Sequence, residues 1–291
     1  MPHVQELVDL LRLEAIGVNR FRGHCQDLGF KNLFGGQVLG QTLSAASQTL
    51  PEGEWAPHSL HAYFLRPGNV VDSLEFEVDC VRDGRSFAMR QITASQNGKA
   101  ILTMMASFQH PEEGFEHQDK MPDVQGPEGL ASQLELTRMF KDKFPERLRD
   151  IYTADKPIEI RAIDPINIFA PKKQDPIKYV WMKADAPLAD DPMLHANVLT
   201  YATDFNLIGT SMMPHGVSFA QRNMQVASLD HAIWFHRPIK FDDWLLYALD
   251  SPSASSGRGF SRGQIFNQQG ELVASVAQEG LIRQIDTAES K

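Results

Sequence analysis

Cysteine is scarce in this chain. Cys25 and Cys80 are the only two, and they show no C-x-x-C spacing. A disulfide framework is thereby excluded, and both are expected as reduced thiols. Long apolar runs are missing too: nothing approaches the roughly 18 residues that a membrane helix needs, so no membrane insertion is expected. The chain does not open on a charged segment followed by an apolar one, and its end, AESK, is not a peroxisomal tripeptide. A cytoplasmic location is the expectation. Positive charge is also short, 28 Lys and Arg against 37 Asp and Glu for a net charge of −9, which argues against nucleic acid as a partner. There is no G-x-S-x-G elbow and no P-loop. Gly35-Gly36 precedes a helical run but lacks a third glycine and a βαβ context. Among ten histidines, His58/His61 and His231/His236 have odd spacings, which on strands point to opposite faces. No metal and no cofactor is expected.

What the chain does have is repetition. HSLHAYFLRPG is followed by an alternating strand, a DGRSF turn and a strand pair broken at Asn97-Gly98. SLDHAIWFHRP is followed by an alternating strand, an SGRGF turn and a strand pair broken at Gln269-Gly270. Phe64 to Phe235 and Gly98 to Gly270 keep nearly the same offset, which implies a duplicated unit. The 291 residues suit two domains of about 100–150 each. The expected division is a first unit over 1–115, a linker with a surface helix over 116–156, and a second unit over 157–291. The linker is suggested by the Pro, Glu, Gly, Asp and Gln that dominate 110–130, and a charged helix is expected over 130–149.

Residues 4–16 place apolar groups at helical spacing and predict an amphipathic helix. The run after Gly35-Gly36, stopped by Pro51, and the run HANVLTYATDFNLIG, opened by Asp190-Asp191-Pro192, predict two more. Neither of those two has a polar stripe, as fits a helix wrapped by a curved antiparallel sheet. The fold class expected is α+β, with one such helix per unit and the two sheets joined edge to edge to cover open strands.

Asp204 stands within the second wrapped helix, with Tyr201 and Ile208 as its helical neighbours and Val198, Leu199, Ala202, Phe205 and Leu207 around it. A carboxylate there loses hydration and needs a reason to be present; it is either a structural helix-end group or a reactive one. Aligning the small-residue runs puts Ser44 opposite it, so the first copy lacks the acid. Gln278 lies in VASVAQEGLI, where the first copy has Ala106. Its amide must find partners, across the sheet or in a site. Ser228 reads equally well as a turn residue or a hydroxyl donor.

The segments FGGQVLGQ, HSLHAYFLRPG, DGRSF, ASFQ, DHAIWFHRP, SASSGRGF and VASVAQEG together resemble the type II acyl-CoA thioesterase family, over about 10–285. That resemblance implies a double hotdog and hydrolysis of acyl-CoA to free fatty acid and CoA, on medium-to-long or broad acyl chains. It implies a catalytic water held by an Asp, a Thr or Ser hydroxyl and a Gln, which fall on Asp204 (TYATDFN), Ser228 (QVASLDH, with Ser in place of the commoner Thr) and Gln278 (SVAQEG). A homo-oligomer, dimer or tetramer, is also implied. On position alone, Arg66, Arg85, Arg237, Arg258 and Arg262 are candidates for CoA phosphates, against the plainer reading of solvated or ion-paired side chains. His58 is a candidate substrate-adjacent residue. Two other readings stand beside this one: a hotdog enoyl-CoA hydratase or dehydratase using an Asp–His pair, and a non-catalytic acyl-CoA-binding protein.

Overall fold

The computed structural model describes residues 3–285. Its first part runs α1 (His3–Leu11), β1 (Glu14–Gly17), β2 (Arg20–Gly23), α2 (Gly35–Ser47), β3 (Ala56–Phe64), β4 (Leu74–Asp83), β5 (Phe87–Gln96) and β6 (Lys99–Gln109). Two short helices follow, α3 (Gln133–Met139) and α4 (Glu146–Thr153). The second part runs β7 (Ile158–Ala162), β8 (Ile177–Ala184), α5 (Pro192–Thr203), α6 (Leu207–Thr210), β9 (Met224–Ser228), β10 (Asp230–Phe235), β11 (Leu245–Ser255), β12 (Arg258–Asn267) and β13 (Leu272–Gln284). All the strands form one antiparallel sheet in the order β1-β2-β4-β5-β6-β3-β10-β13-β12-β11-β8-β7, with β9 added against β13. The seam is β3 against β10, where Ala62 faces His231 and Leu60 faces Ile233. The two half-sheets are thus joined edge to edge, and this is a double hotdog.

The two long helices lie together inside the curved sheet. Every residue of α2 from Gly36 to Ala46 is buried, as is α5 from His195 to Thr203. The polar groups of α2 are used locally: Gln41 Nε2 donates to the Leu10 and His24 carbonyls, and Ser44 Oγ to that of Leu11. Those bonds tie the N-terminal segment to the helix. Helix α5 starts where the Asp-Pro pair predicts, with the Asp191 side chain accepting from Met193 N–H at 2.9 Å and Pro192 in the first turn. The helices run antiparallel, Gly36 beside Tyr201 and Gly40 beside the Asn197 carbonyl. A Cβ on Gly36 would sit 2.2 Å from the Tyr201 carbonyl oxygen, so only glycine permits this approach.

The hairpin turns follow their residues. Asn97-Gly98 and Ser256-Gly257 have positive φ at both positions (50° and 71°; 51° and 74°), the pattern of a two-residue hairpin loop.

Three expectations change. The first helix stops at Leu11 rather than residue 16, because Glu14–Gly17 pairs with β2 as the sheet's edge strand. The single surface helix over 130–149 is two, since Pro145 cannot continue a helix and instead begins α4. The stretch read as linker is partly a packed strap: Met121, Val124 and Leu130 cover Trp181, Leu246, Phe266 and Leu272 on the outer face of the second half-sheet. Trp181 Nε1 donates to the Gln125 carbonyl at 2.8 Å, and Gln118 bonds Gly270 O and Leu272 N.

Candidate active site

Asp204 caps the C-terminal end of α5. Asn206, two residues on, is held left-handed (φ 70°), and its side chain accepts from Lys178 Nζ at 2.7 Å. Burial pulls that ammonium down to about 8. The chain thus turns sharply just past Asp204 and aims its carboxylate at the start of α2. Gly36 N–H donates to Asp204 Oδ2 at 2.9 Å. Since Phe34 at the N-cap of α2 offers no side-chain acceptor, Asp204 supplies the anion that a helix N-terminus favours. The other oxygen, Oδ1, accepts from Gln278 Nε2 at 2.8 Å. The same Nε2 lies 3.1 Å from Ser228 Oγ and 3.2 Å from His231 Nδ1.

Asp204, Ser228 and Gln278 are therefore brought together, from the end of α5, the end of β9 and the middle of β13. The side chain of Asp204 is 7% exposed. Burial raises its pKa above the ordinary carboxylate value, while bonds from Gln278, Gly36 and Ser228 oppose that shift. Gln278 Oε1 is buried and has no partner among the described residues.

Two contributors escape the sequence reading. Gly36, set aside there for want of a nucleotide-binding motif, brings the first unit's helix to the acid. His231, weighed there only as a metal ligand, packs against Gln278 and is fully buried. The unusual double glycine before a helix without a side-chain cap was the available signal for the first. For Ser44, the helix ends give a different equivalence: Gln48 caps α2 where Asp204 caps α5. The first copy still lacks an acid there.

The remaining candidates lie elsewhere. His58 Nε2 bonds Ser107 Oγ at 2.7 Å, with Phe87 edge-on beside it. It stands four residues along β3 from Ala62, the partner of His231, or roughly 13 Å. Arg66 donates to the Ala100 carbonyl and Arg237 to that of Leu272, the same bond in each copy. Arg258 pairs with Glu279 and Arg262 with Asp250. Both alternate with Ser261, which faces Gln278 across the ladder, so they point away from the acid. Arg85 is exposed in the β4–β5 turn. None of the five arginines reaches the Asp204 cluster, because hairpin-end carbonyls and outer-face acids occupy four of them. Among the described residues no group of three or more His, Cys, Asp or Glu is placed to hold a metal, and no helix is long and apolar enough to cross a membrane.

The family described as "Acyl-CoA thioesterase N-terminal domain" matches residues 26–109, and "Acyl-CoA thioesterase" matches 148–281. The chain is 42% identical over 280 residues to acyl-CoA thioesterase 2 of Haemophilus influenzae, covering 96% of this chain and 98% of that one. The chain belongs to the type II acyl-CoA thioesterase family. Human acyl-coenzyme A thioesterase 8 is 34% identical over 282 residues, covering 94% of this chain and 88% of its own. The crystal structure of the acyl-CoA thioesterase II TesB2 of Mycobacterium marinum superposes with a TM-score of 0.78 at 38% identity, covering 97% of this chain and 98% of that thioesterase.

Proposed function

We propose that this chain hydrolyses acyl-CoA thioesters, with Asp204 as general base and Ser228 and Gln278 holding the water. The supporting observation is the shared hydrogen-bonded cluster of the three side chains around a dehydrated carboxylate. Family membership supplies the substrate class.

Asp204, ionised, takes a proton from a water. The resulting hydroxide adds to the thioester carbonyl carbon, and the electron pair moves to the carbonyl oxygen. Collapse of that oxyanion breaks the C–S bond and expels CoA as thiolate, which takes the proton back from Asp204. Thiols ionise near pH 8.5, so the leaving group needs no strong acid. Gln278 donates Nε2–H to the carboxylate and offers its unpartnered Oε1 to a water proton. The N-terminal end of α2, whose Gly36 N–H already holds Asp204, supplies the field for the oxyanion. In this reading both units are needed, the second for the base and the first for the helix end that faces it.

The hydratase reading needs a histidine free to act on the acyl chain. His231 Nδ1 is 4.0 Å from Asp204 Oδ1, but both its nitrogens are engaged and it is 0% exposed. The test is release of free thiol from a saturated acyl-CoA, which neither a hydratase nor a pure binder achieves. Its absence in the parent protein would refute the proposal. The homo-oligomer and the cytoplasmic location stay proposals alongside it.

A further inference from the structure

We infer that His231 is a positioning residue, which fixes the orientation of the Gln278 amide and through it the nucleophilic water. The inference rests on the hydrolytic reading above and deepens it.

The chain of bonds has one consistent direction. Thr203 Oγ1 donates to the Thr200 carbonyl at 3.0 Å, so it must accept from its other neighbour. That neighbour is His231 Nε2 at 3.0 Å. A proton on Nε2 leaves Nδ1 with only a lone pair, and Nδ1 faces Gln278 at 3.2 Å. Gln278 must then turn its NH₂, not its carbonyl, toward His231 and Asp204. Its Oε1 is thereby left as the amide's acceptor, buried and without a partner among the described residues. A flipped amide would put two acceptors together at both contacts. Burial lowers the His231 pKa to about 3, which keeps the ring neutral and the lone pair in place.

The duplicated unit shows that the fold does not need this imidazole. Gln278 and Ala106 are equivalent, each eight residues past the Gly270 or Gly98 turn. By the Phe64–Phe235 offset, His231 is equivalent to Leu60. In the first copy Leu60 and Ala106 face each other across β3 and β6, both 0% exposed. The second copy carries His and Gln at the matching positions, just past the Ala232–Ala277 pair of β10 and β13 and 3.2 Å apart. An apolar pair packs that position well in the first copy, and the polar pair stands in the copy that carries the acid.

The experiment measures kcat and KM for thiol release from an acyl-CoA by the parent, His231→Leu, His231→Asn, Gln278→Ala and the double variant His231→Leu/Gln278→Ala. His231→Leu is expected to lower kcat by up to ~100-fold with KM little changed, as misplacement of a reacting group does. His231→Asn, whose Oδ1 can accept where Nδ1 does, should recover much of that loss. Within the Gln278→Ala background, His231→Leu should cost nothing further, because the group it orients is gone. Parental kcat in His231→Leu, or losses that multiply in the double variant, would overturn the inference. Should His231→Leu fail to fold, His231→Gln replaces it: its amide reaches toward Thr203 rather than Gln278, so equal kcat in His231→Gln and His231→Asn would overturn it as well. A parent protein that releases no thiol would instead sink the hydrolytic reading.

Discussion

Asp204 carries a charge that its surroundings resist. Its pKa is raised by burial, and bonds from Gln278, Gly36 and Ser228 offset only part of that. The fold therefore favours the protonated acid: this contribution to stability is fully present below the unfolded-state value near 3.9 and is lost as pH rises through the higher folded-state value. Asn cannot ionise. The Tm of Asp204→Asn relative to the parent should therefore shift in the variant's favour from acid to neutral pH, and a pH-independent difference would show an unshifted carboxyl. Catalysis needs the opposite form, so kcat/KM should fall as pH drops through that raised pKa. Ser228 tests a subtler point. Ser228→Thr keeps the hydroxyl and restricts its rotamers, so activity should be retained or improved, while Ser228→Ala should lower kcat by roughly 10²-fold or more. Asp204 and Gln278 stand out in the sequence by their type and by what the first copy has in their place, whereas Ser228, which also reads as a turn residue, is singled out only by the resemblance to the family. His231 was not legible, since a lone histidine in an apolar strand looks the same whether it packs or orients.

Helix α2 meets α5 through backbone, and that contact decides where the acid points. Gly36→Ala places a methyl 2.2 Å from the Tyr201 carbonyl oxygen, and a methyl on Gly35 would lie within 3 Å of Asp204 Oδ2 and of the Phe64 ring. The helices must part, so Gly36→Ala should lower Tm and take most of the activity with it. Leu39, 0% exposed in the middle of α2, gives the comparison: Leu39→Ala should cost about 2–5 kcal/mol by calorimetry yet leave kcat of the folded fraction near parental. Helix and hairpin boundaries governed by special residues were readable, as with Asp191-Pro192 and Asn97-Gly98. The end of α1 was not, because helical spacing continues past Leu11 and only pairing with β2 converts Glu14–Gly17 to strand. Nor was the approach of α2 to Asp204, which depends on contacts between residues far apart in the chain.

Between the two halves of the molecule the outer sheet face is treated unequally. The strap from Met121 to Leu130 covers the second half, whereas Tyr63 (61% exposed), Met105 (36%) and Trp234 (38%) stand open along the β6–β3–β10 seam, sharing one face by register. If the proposed oligomer forms here, Trp234→Arg should shift the mass measured by light scattering toward the single chain without reducing the fold's helical signal; an unchanged mass would place the interface elsewhere. A Pro- and Glu-rich stretch gave no sign that it would pack, because its few apolar residues are spaced for no regular element. One carboxylate is shared between the duplicated halves, held by Gly36 of the first and Gln278 of the second. The direct measurement is thiol release from a saturated acyl-CoA by Asp204→Asn, compared with the parent and checked for folding by circular dichroism. Turnover lost by 10²-fold or more in a folded variant is the predicted result; a folded variant that hydrolyses at the parental rate would contradict it.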